Sequence, residues 1–137
     1  MITIINDFFK EDKLKEVVNY TKNNIFFTPK YFEKKFNIKI KKVHEDCGID
    51  LRNLDRFFPH TDNFYGIKYN ILIMLDGPIG VTTGTVFYTD DQLDIHVGFR
   101  PNRAVLFPSS YYHCAHKSDI ENLKRYTATI FITEYEF

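Results

Sequence analysis

Histidine and aspartate, both suited to metal chemistry, stand close together at His60-Thr61-Asp62. On an extended strand, residues i and i+2 point to the same face, so this imidazole and this carboxylate can converge on one ion. A nitrogen donor and a carboxylate, joined by one more histidine, make the facial triad that binds non-haem Fe(II) and leaves positions open for oxygen chemistry. The same three-residue form occurs again as His44-Glu45-Asp46, so the pair alone is a weak signal. The third ligand must come from a distant strand, where His113 and His116 are both available. Three residues apart, they face opposite sides of a regular strand and cannot be equivalent ligands unless a bulge intervenes. Without other motifs, either is as well read as a surface or core histidine held by a hydrogen bond.

A second group lies near the end of the chain, at Arg125-Tyr126-Thr127. Arg125 and Thr127 share a strand face by the same period of two. A guanidinium offers a planar fork that matches a carboxylate through two hydrogen bonds, and a hydroxyl two residues on can add a third. An arginine facing inward on a buried strand is costly unless it meets an anion. Taken alone, an arginine in solvent at the strand mouth explains the motif equally well.

The elements that must hold these groups are mostly strands. Thr3 to Ile5 is a short strand, and Lys10 to Asn23 carries Leu14, Val17, Val18 and Thr21 at helical spacing, with Asp12 as N-cap and Asn23-Asn24 as the end. Asn37 to Val43 alternates apolar residues with lysines and is a strand. The lysines from Lys34 to Lys42 are expected as a solvated strand edge, where they block pairing with other sheets. Beyond Phe57 the pattern stays β. Tyr69 to Leu75 is closed by the turn Asp76-Gly77-Pro78, and Gly84 to Tyr88 by Thr89-Asp90-Asp91. Leu93 to Phe99, Ala104 to Phe107, Tyr111 to Ala115 and Tyr126 to Ile132 follow, with a polar loop over Lys117 to Asn122. Short strands at this spacing point to an antiparallel sandwich or jelly roll.

In their order, His60-X-Asp62, His113 and Arg125-X-Thr127 resemble the Fe(II)/2-oxoglutarate-dependent dioxygenases, particularly the small prolyl-hydroxylase-like branch. The text between them is similar as well. Tyr69-Asn70-Ile-Leu-Ile-Met-Leu75-Asp76 resembles the family's second core strand, and Gly84-Thr-Val-Phe-Tyr88 its glycine-rich stretch. Asn102-Arg-Ala-Val-Leu-Phe-Pro-Ser109 followed by Tyr-Tyr-His113 resembles the strand that delivers the distal histidine. The resemblance covers roughly residues 57 to 133, with the N-terminal helix as a usual preamble. It implies a mainly β (α+β) protein, a double-stranded β-helix of cupin-like jelly-roll type with the helix packed on one sheet. It also separates the duplicates: the family's first motif sits shortly before the second strand, which selects His60 and Asp62 over His44 and Asp46. The Phe-Pro-Ser-X-X-X-His phrasing favours His113, with His116 as the alternative.

The resemblance further implies an enzyme that hydroxylates an unactivated C–H bond with O₂ and 2-oxoglutarate, releasing succinate and CO₂. His60, Asp62 and His113 are its implied iron ligands and catalytic centre, and Arg125 with Thr127 the partners of the co-substrate's far carboxylate. One departure stands out. Many relatives have a tyrosine where Met74 stands, and that tyrosine binds the co-substrate, so either Tyr69 or Asn70 is expected to help instead or the anion site is weaker. Two other readings remain: a non-enzymatic β-sandwich that binds a ligand or partner, and a metal-binding cupin that does not use 2-oxoglutarate.

Composition sets the outer bounds. A chain of 137 residues is expected to form a single domain, with 1–56 as helix and flanking strands and 57–137 as β-helix core. Aromatics make up 17%, which favours dense β cores. Zero net charge argues against a general nucleic-acid binder, and leaves a small-molecule or peptide substrate. No run of about 20 apolar residues is present for a membrane span. Met1-Ile-Thr-Ile-Ile lacks the basic start of a secretory leader, so a cytoplasmic protein with Cys47 and Cys114 as free thiols is expected. Oligomeric state is left open, Leu93 to Phe99 being a strand that could pair between chains.

Overall fold

The computed structural model describes residues 1–20, 30–52, 59–89, 93–115 and 124–137. Among these described residues, nine strands and two helices follow in the order β1 (Thr3–Ile5), α1 (Glu11–Tyr20), α2 (Lys30–Phe36), β2 (Lys39–Val43), β3 (Gly48–Arg52), β4 (Tyr69–Asp76), β5 (Gly80–Thr89), β6 (Leu93–Phe99), β7 (Arg103–Pro108), β8 (Tyr112–Ala115) and β9 (Arg125–Glu136). The larger sheet runs β1-β7-β4-β9-β2, with β3 also paired to β9, and the smaller one runs β6-β5-β8. All pairings are antiparallel. Sequence neighbours are mostly not sheet neighbours, which is the connectivity of a jelly roll.

Strand alternation divides the larger sheet into two faces. Ile71, Ile73 and Leu75 of β4, Ala104 and Leu106 of β7, and Ala128, Ile130 and Ile132 of β9 pack with the N-terminal segment in one core. Val105 and Phe107 point the other way, onto Phe87, Val97 and Phe99 of the smaller sheet. The first core is closed by Phe8, whose ring stacks on Phe32 and Phe36 at 5.6 Å each. Asn102 fastens this segment: its amide accepts from Phe9 N at 2.7 Å and donates to Phe9 O at 2.8 Å. Its own backbone is left-handed (φ 69°), a conformation that asparagine tolerates at a turn.

The N-terminal elements differ from the sequence expectations at several points. Asp12 lies inside the first turn of α1 rather than capping it; its charge still favours the helix N-terminus. The predicted end of that helix at Asn23-Asn24 lies outside the described residues. Lys34 and Lys35 belong to the last turn of α2, a helix not expected from the lysine-rich sequence. Phe32 and Phe36, four apart, form its buried stripe. The strand expected from Asn37 begins at Lys39. Asn37 instead ends α2 in a left-handed conformation (φ 51°) while Ile38 N bonds back to Glu33 O, a Schellman cap. Only Lys39, Lys41 and Lys42 lie on an edge strand. Cys47 and Cys114 are both buried and free.

Candidate metal and anion site

The two sheets part between β4, β9 and β5 to leave a cavity of about 540 Å³, within the range of small-molecule sites. One end is built by a backbone clasp. His60 and His113 form an antiparallel bridge, each amide donating to the other's carbonyl at 3.0 Å, so residue 60 extends the free edge of β8. Asp62 N then bonds Ser109 O at 2.9 Å. Tyr65 (φ 52°) and Gly66 (φ 77°) turn the chain sharply, with Ile67 N bonded to Phe64 O at 3.1 Å. Two left-handed residues in succession make a type I′ turn, and it leads directly into β4.

This clasp brings together the three side chains that the sequence singled out. One donor atom from each of His60, Asp62 and His113 lies within 4.8 Å of the other two. His113 Nε2 is 3.1 Å from Asp62 Oδ2, and His60 Nε2 is 3.8 Å from Asp62 Oδ1. The His113 ring is packed edge-on against Phe107 at 4.9 Å. Its Nδ1 lies 3.0 Å from Tyr111 O. A carbonyl only accepts, so Nδ1 carries the proton and Nε2 faces the site. Nε2 and a carboxylate oxygen cannot both bring lone pairs to 3.1 Å. A proton on one of the two groups, or a cation close to both, relieves this approach, and this donor set fits a divalent ion of the iron class. Burial pushes the Asp62 carboxyl up, but the hydrogen bond from His113, the charges of His113 and His60, and the Asn70 amide outweigh it. The net effect holds Asp62 below the usual carboxylate range.

The opposite end holds a buried arginine. Arg125, Thr127, Thr129 and Phe131 alternate along β9 and all line the cavity. Arg125 is buried at 3% exposure, and its Nη1 donates to Thr83 O at 2.6 Å and Gly84 O at 3.3 Å. No residue type in the sequence signals these two carbonyls; Gly84 is required instead by a close approach to the backbone of β6. A Cβ there would lie 1.9 Å from Val97 O. Thr127 Oγ1 is buried with no hydrogen-bond partner among the described residues.

Tyr69 does not take part. It sits on the helix-facing side of β4, its ring 4.9 Å from Tyr135, because the pleat sends odd-numbered residues away from the cavity. Asn70, Leu72 and Met74 face the cavity instead. Asn70 Nδ2 donates to Asp62 Oδ2 at 2.7 Å, which puts Asn70 at the metal end rather than with Arg125. Met74 occupies the expected tyrosine position and accepts Arg100 N through its sulfur at 3.4 Å. The alternative ligand His116 and the loop Lys117 to Asn122 lie outside the described residues. His44 and Asp46 sit beyond the end of β2, away from the cavity lining.

No protein-family model matches the chain, and no curated protein does. Solved structures share its architecture. A prolyl-4-hydroxylase from Pseudomonas putida superposes with a TM-score of 0.73 at 12% identity, over 97% of this chain and 87% of that one. A prolyl hydroxylase from Trichoplax adhaerens, in complex with a hypoxia inducible factor oxygen degradation domain peptide fragment, gives 0.73 at 16% identity, over 96% and 83%. The non-heme alpha ketoglutarate dependent epimerase SnoN from nogalamycin biosynthesis gives 0.62 at 9%, over 98% and 78%. The fold is therefore the jelly roll of the 2-oxoglutarate and Fe(II) oxygenases.

Proposed function

We propose that this chain is an Fe(II)- and 2-oxoglutarate-dependent oxygenase that hydroxylates a small-molecule or peptide substrate. One observation carries the reading: a His-Asp-His cluster with donors within 4.8 Å of one another shares a cavity with a buried arginine. The cluster and the arginine come from separate parts of the chain, yet they line one cavity.

In this reading His60, Asp62 and His113 hold the iron, and Arg125 with Thr127 takes the far carboxylate of 2-oxoglutarate. Bound there with O₂, the iron and the keto acid supply an oxidant for an unactivated C–H bond, with release of succinate and CO₂. The chain supplies position and environment. Tyr111 O keeps the His113 proton on Nδ1, so that Nε2 points at the site. Thr83 O and Gly84 O fix the guanidinium from behind. Leu72, Met74, Phe99 and Phe107 line the cavity between its two ends and keep water away from it. Phe64, at 48% exposure, also lines the cavity and marks its solvent side; a substrate enters past it. The peptide held by the Trichoplax adhaerens structure makes a peptide side chain the first substrate class to try.

The test is succinate formation from 2-oxoglutarate in the presence of Fe(II) and O₂ without added substrate. Slow turnover that disappears in Asp62→Ala and His113→Ala supports the proposal. Turnover that persists in both variants, or is absent from an iron-loaded wild type, rejects it.

A further inference from the structure

Asn70 is wholly buried at 0% exposure, and lines the metal end of the cavity. Its amide nitrogen donates to Asp62 Oδ2 at 2.7 Å. A carboxylate only accepts, so the amide orientation is fixed by chemistry and its oxygen must point elsewhere. That oxygen, Oδ1, has no hydrogen-bond partner among the described residues. A buried asparagine with a purely structural role normally has both ends satisfied. This one gives its nitrogen to the Asp62 carboxylate and leaves its oxygen unmet beside the cavity that the residue lines.

The two oxygens of Asp62 are thereby made unequal. Oδ2 is occupied by Asn70 and lies 3.1 Å from His113 Nε2, whereas Oδ1 faces His60 Nε2 at 3.8 Å. We propose that Asn70 is a positioning residue that engages Oδ2 so that Asp62 binds the metal through Oδ1 alone. This rests on the metal reading given above. A carboxylate left unrestrained can chelate through both oxygens and fill one of the positions that oxygen chemistry needs open. Outer hydrogen bonds of this kind orient ligands, and their loss typically weakens metal binding. Asn70 Oδ1, left over, accepts from whatever donor the filled cavity brings. 2-Oxoglutarate as a dianion has none, so a coordinated water or a substrate N–H or O–H is required.

The experiment is an anaerobic Co(II) titration followed by visible absorption on wild type, Asn70→Leu and Asn70→Gln, with thermal unfolding of each metal-free protein. Leucine keeps the volume and removes the donor; glutamine keeps the amide and has the cavity to extend into. The expected result is Co(II) binding about 10- to 100-fold weaker in Asn70→Leu, with displaced absorption bands and most of the affinity restored in Asn70→Gln. The metal-free leucine variant loses the hydrogen bond to Asp62 together with an unpartnered buried acceptor, so its unfolding temperature should stay close to wild type. Wild-type affinity and bands in Asn70→Leu overturn the proposal. So does a loss of affinity in both variants matched by earlier unfolding of both, since that marks a structural role. A wild type that binds no Co(II) rejects the metal site itself, and the positioning role with it.

Discussion

Replacing Arg125 by methionine separates a functional arginine from a structural one. The side chain is 3% exposed and its Nη1 contacts two backbone carbonyls, at 2.6 and 3.3 Å. Removing the guanidinium strands those carbonyls, at a cost of about 1–3 kcal/mol each. Against this, a charge no longer has to be held out of water, which returns several kcal/mol, and methionine keeps much of the stem's packing. Metal-free stability should therefore stay within about 2 kcal/mol of wild type. Ligand binding should not be spared. Losing a buried charged partner costs about 2–5 kcal/mol, roughly 30- to 4,000-fold in affinity. The assay is calorimetric titration of 2-oxoglutarate into Co(II)-loaded protein, with Co(II) affinity measured separately. Unchanged 2-oxoglutarate binding in Arg125→Met would refute the anion-pocket assignment and favour a metal-binding cupin that needs no keto acid.

Other consequences follow from the same geometry. Asp62 has its folded-state pKa depressed, so its contribution to stability is present above its unfolded pKa of about 3.9 and is lost as pH falls through the folded value. The metal-free protein should lose stability below about pH 4, and Asp62→Asn should flatten that limb of a pH–unfolding profile; an unaltered limb contradicts the cluster. Gly84→Ala would set a Cβ 1.9 Å from Val97 O and 2.8 Å from Gly98 Cα. Both are backbone atoms, so β6 must move, and a loss of about 1–3 kcal/mol or more is expected, with weaker 2-oxoglutarate binding because Gly84 O shifts under Arg125. A Tm equal to wild type would show that the approach is not tight. Burial raises the Cys47 thiol pKa, and Phe131 N donates to its sulfur at 3.1 Å. Alkylation of Cys47 near neutral pH should therefore track denaturant-induced unfolding; rapid labelling of the native protein would contradict this.

Much of this arrangement was legible in the sequence because strands write their geometry in a period of two. Arg125 with Thr127 follows from that alternation along β9, whereas His60 and Asp62 meet at an isolated bridge and the irregular residues after it rather than on a strand. Its limits are equally clear. Tyr69 and Asn70 were both candidates for the co-substrate, and the pleat that sends Asn70 into the cavity necessarily sends Tyr69 out of it. The helix α2 was hidden because lysines dominate its composition, although Phe32 and Phe36 already stood at helical spacing. The partners that fix the site are backbone atoms: Tyr111 O beside His113, Thr83 O and Gly84 O beneath Arg125, Ser109 O on Asp62 N. A carbonyl has no letter of its own, so only the folded chain reveals it.

The central claim is that His60, Asp62 and His113 hold one iron in the same cavity in which Arg125 receives a keto acid. Anaerobic addition of Fe(II) and 2-oxoglutarate tests it most directly. The account predicts a weak visible charge-transfer band that needs both additions, saturates at a single iron per chain and is lost in His113→Ala. Iron binding that leaves 2-oxoglutarate without effect on the spectrum, or a band that survives removal of His113, would contradict it.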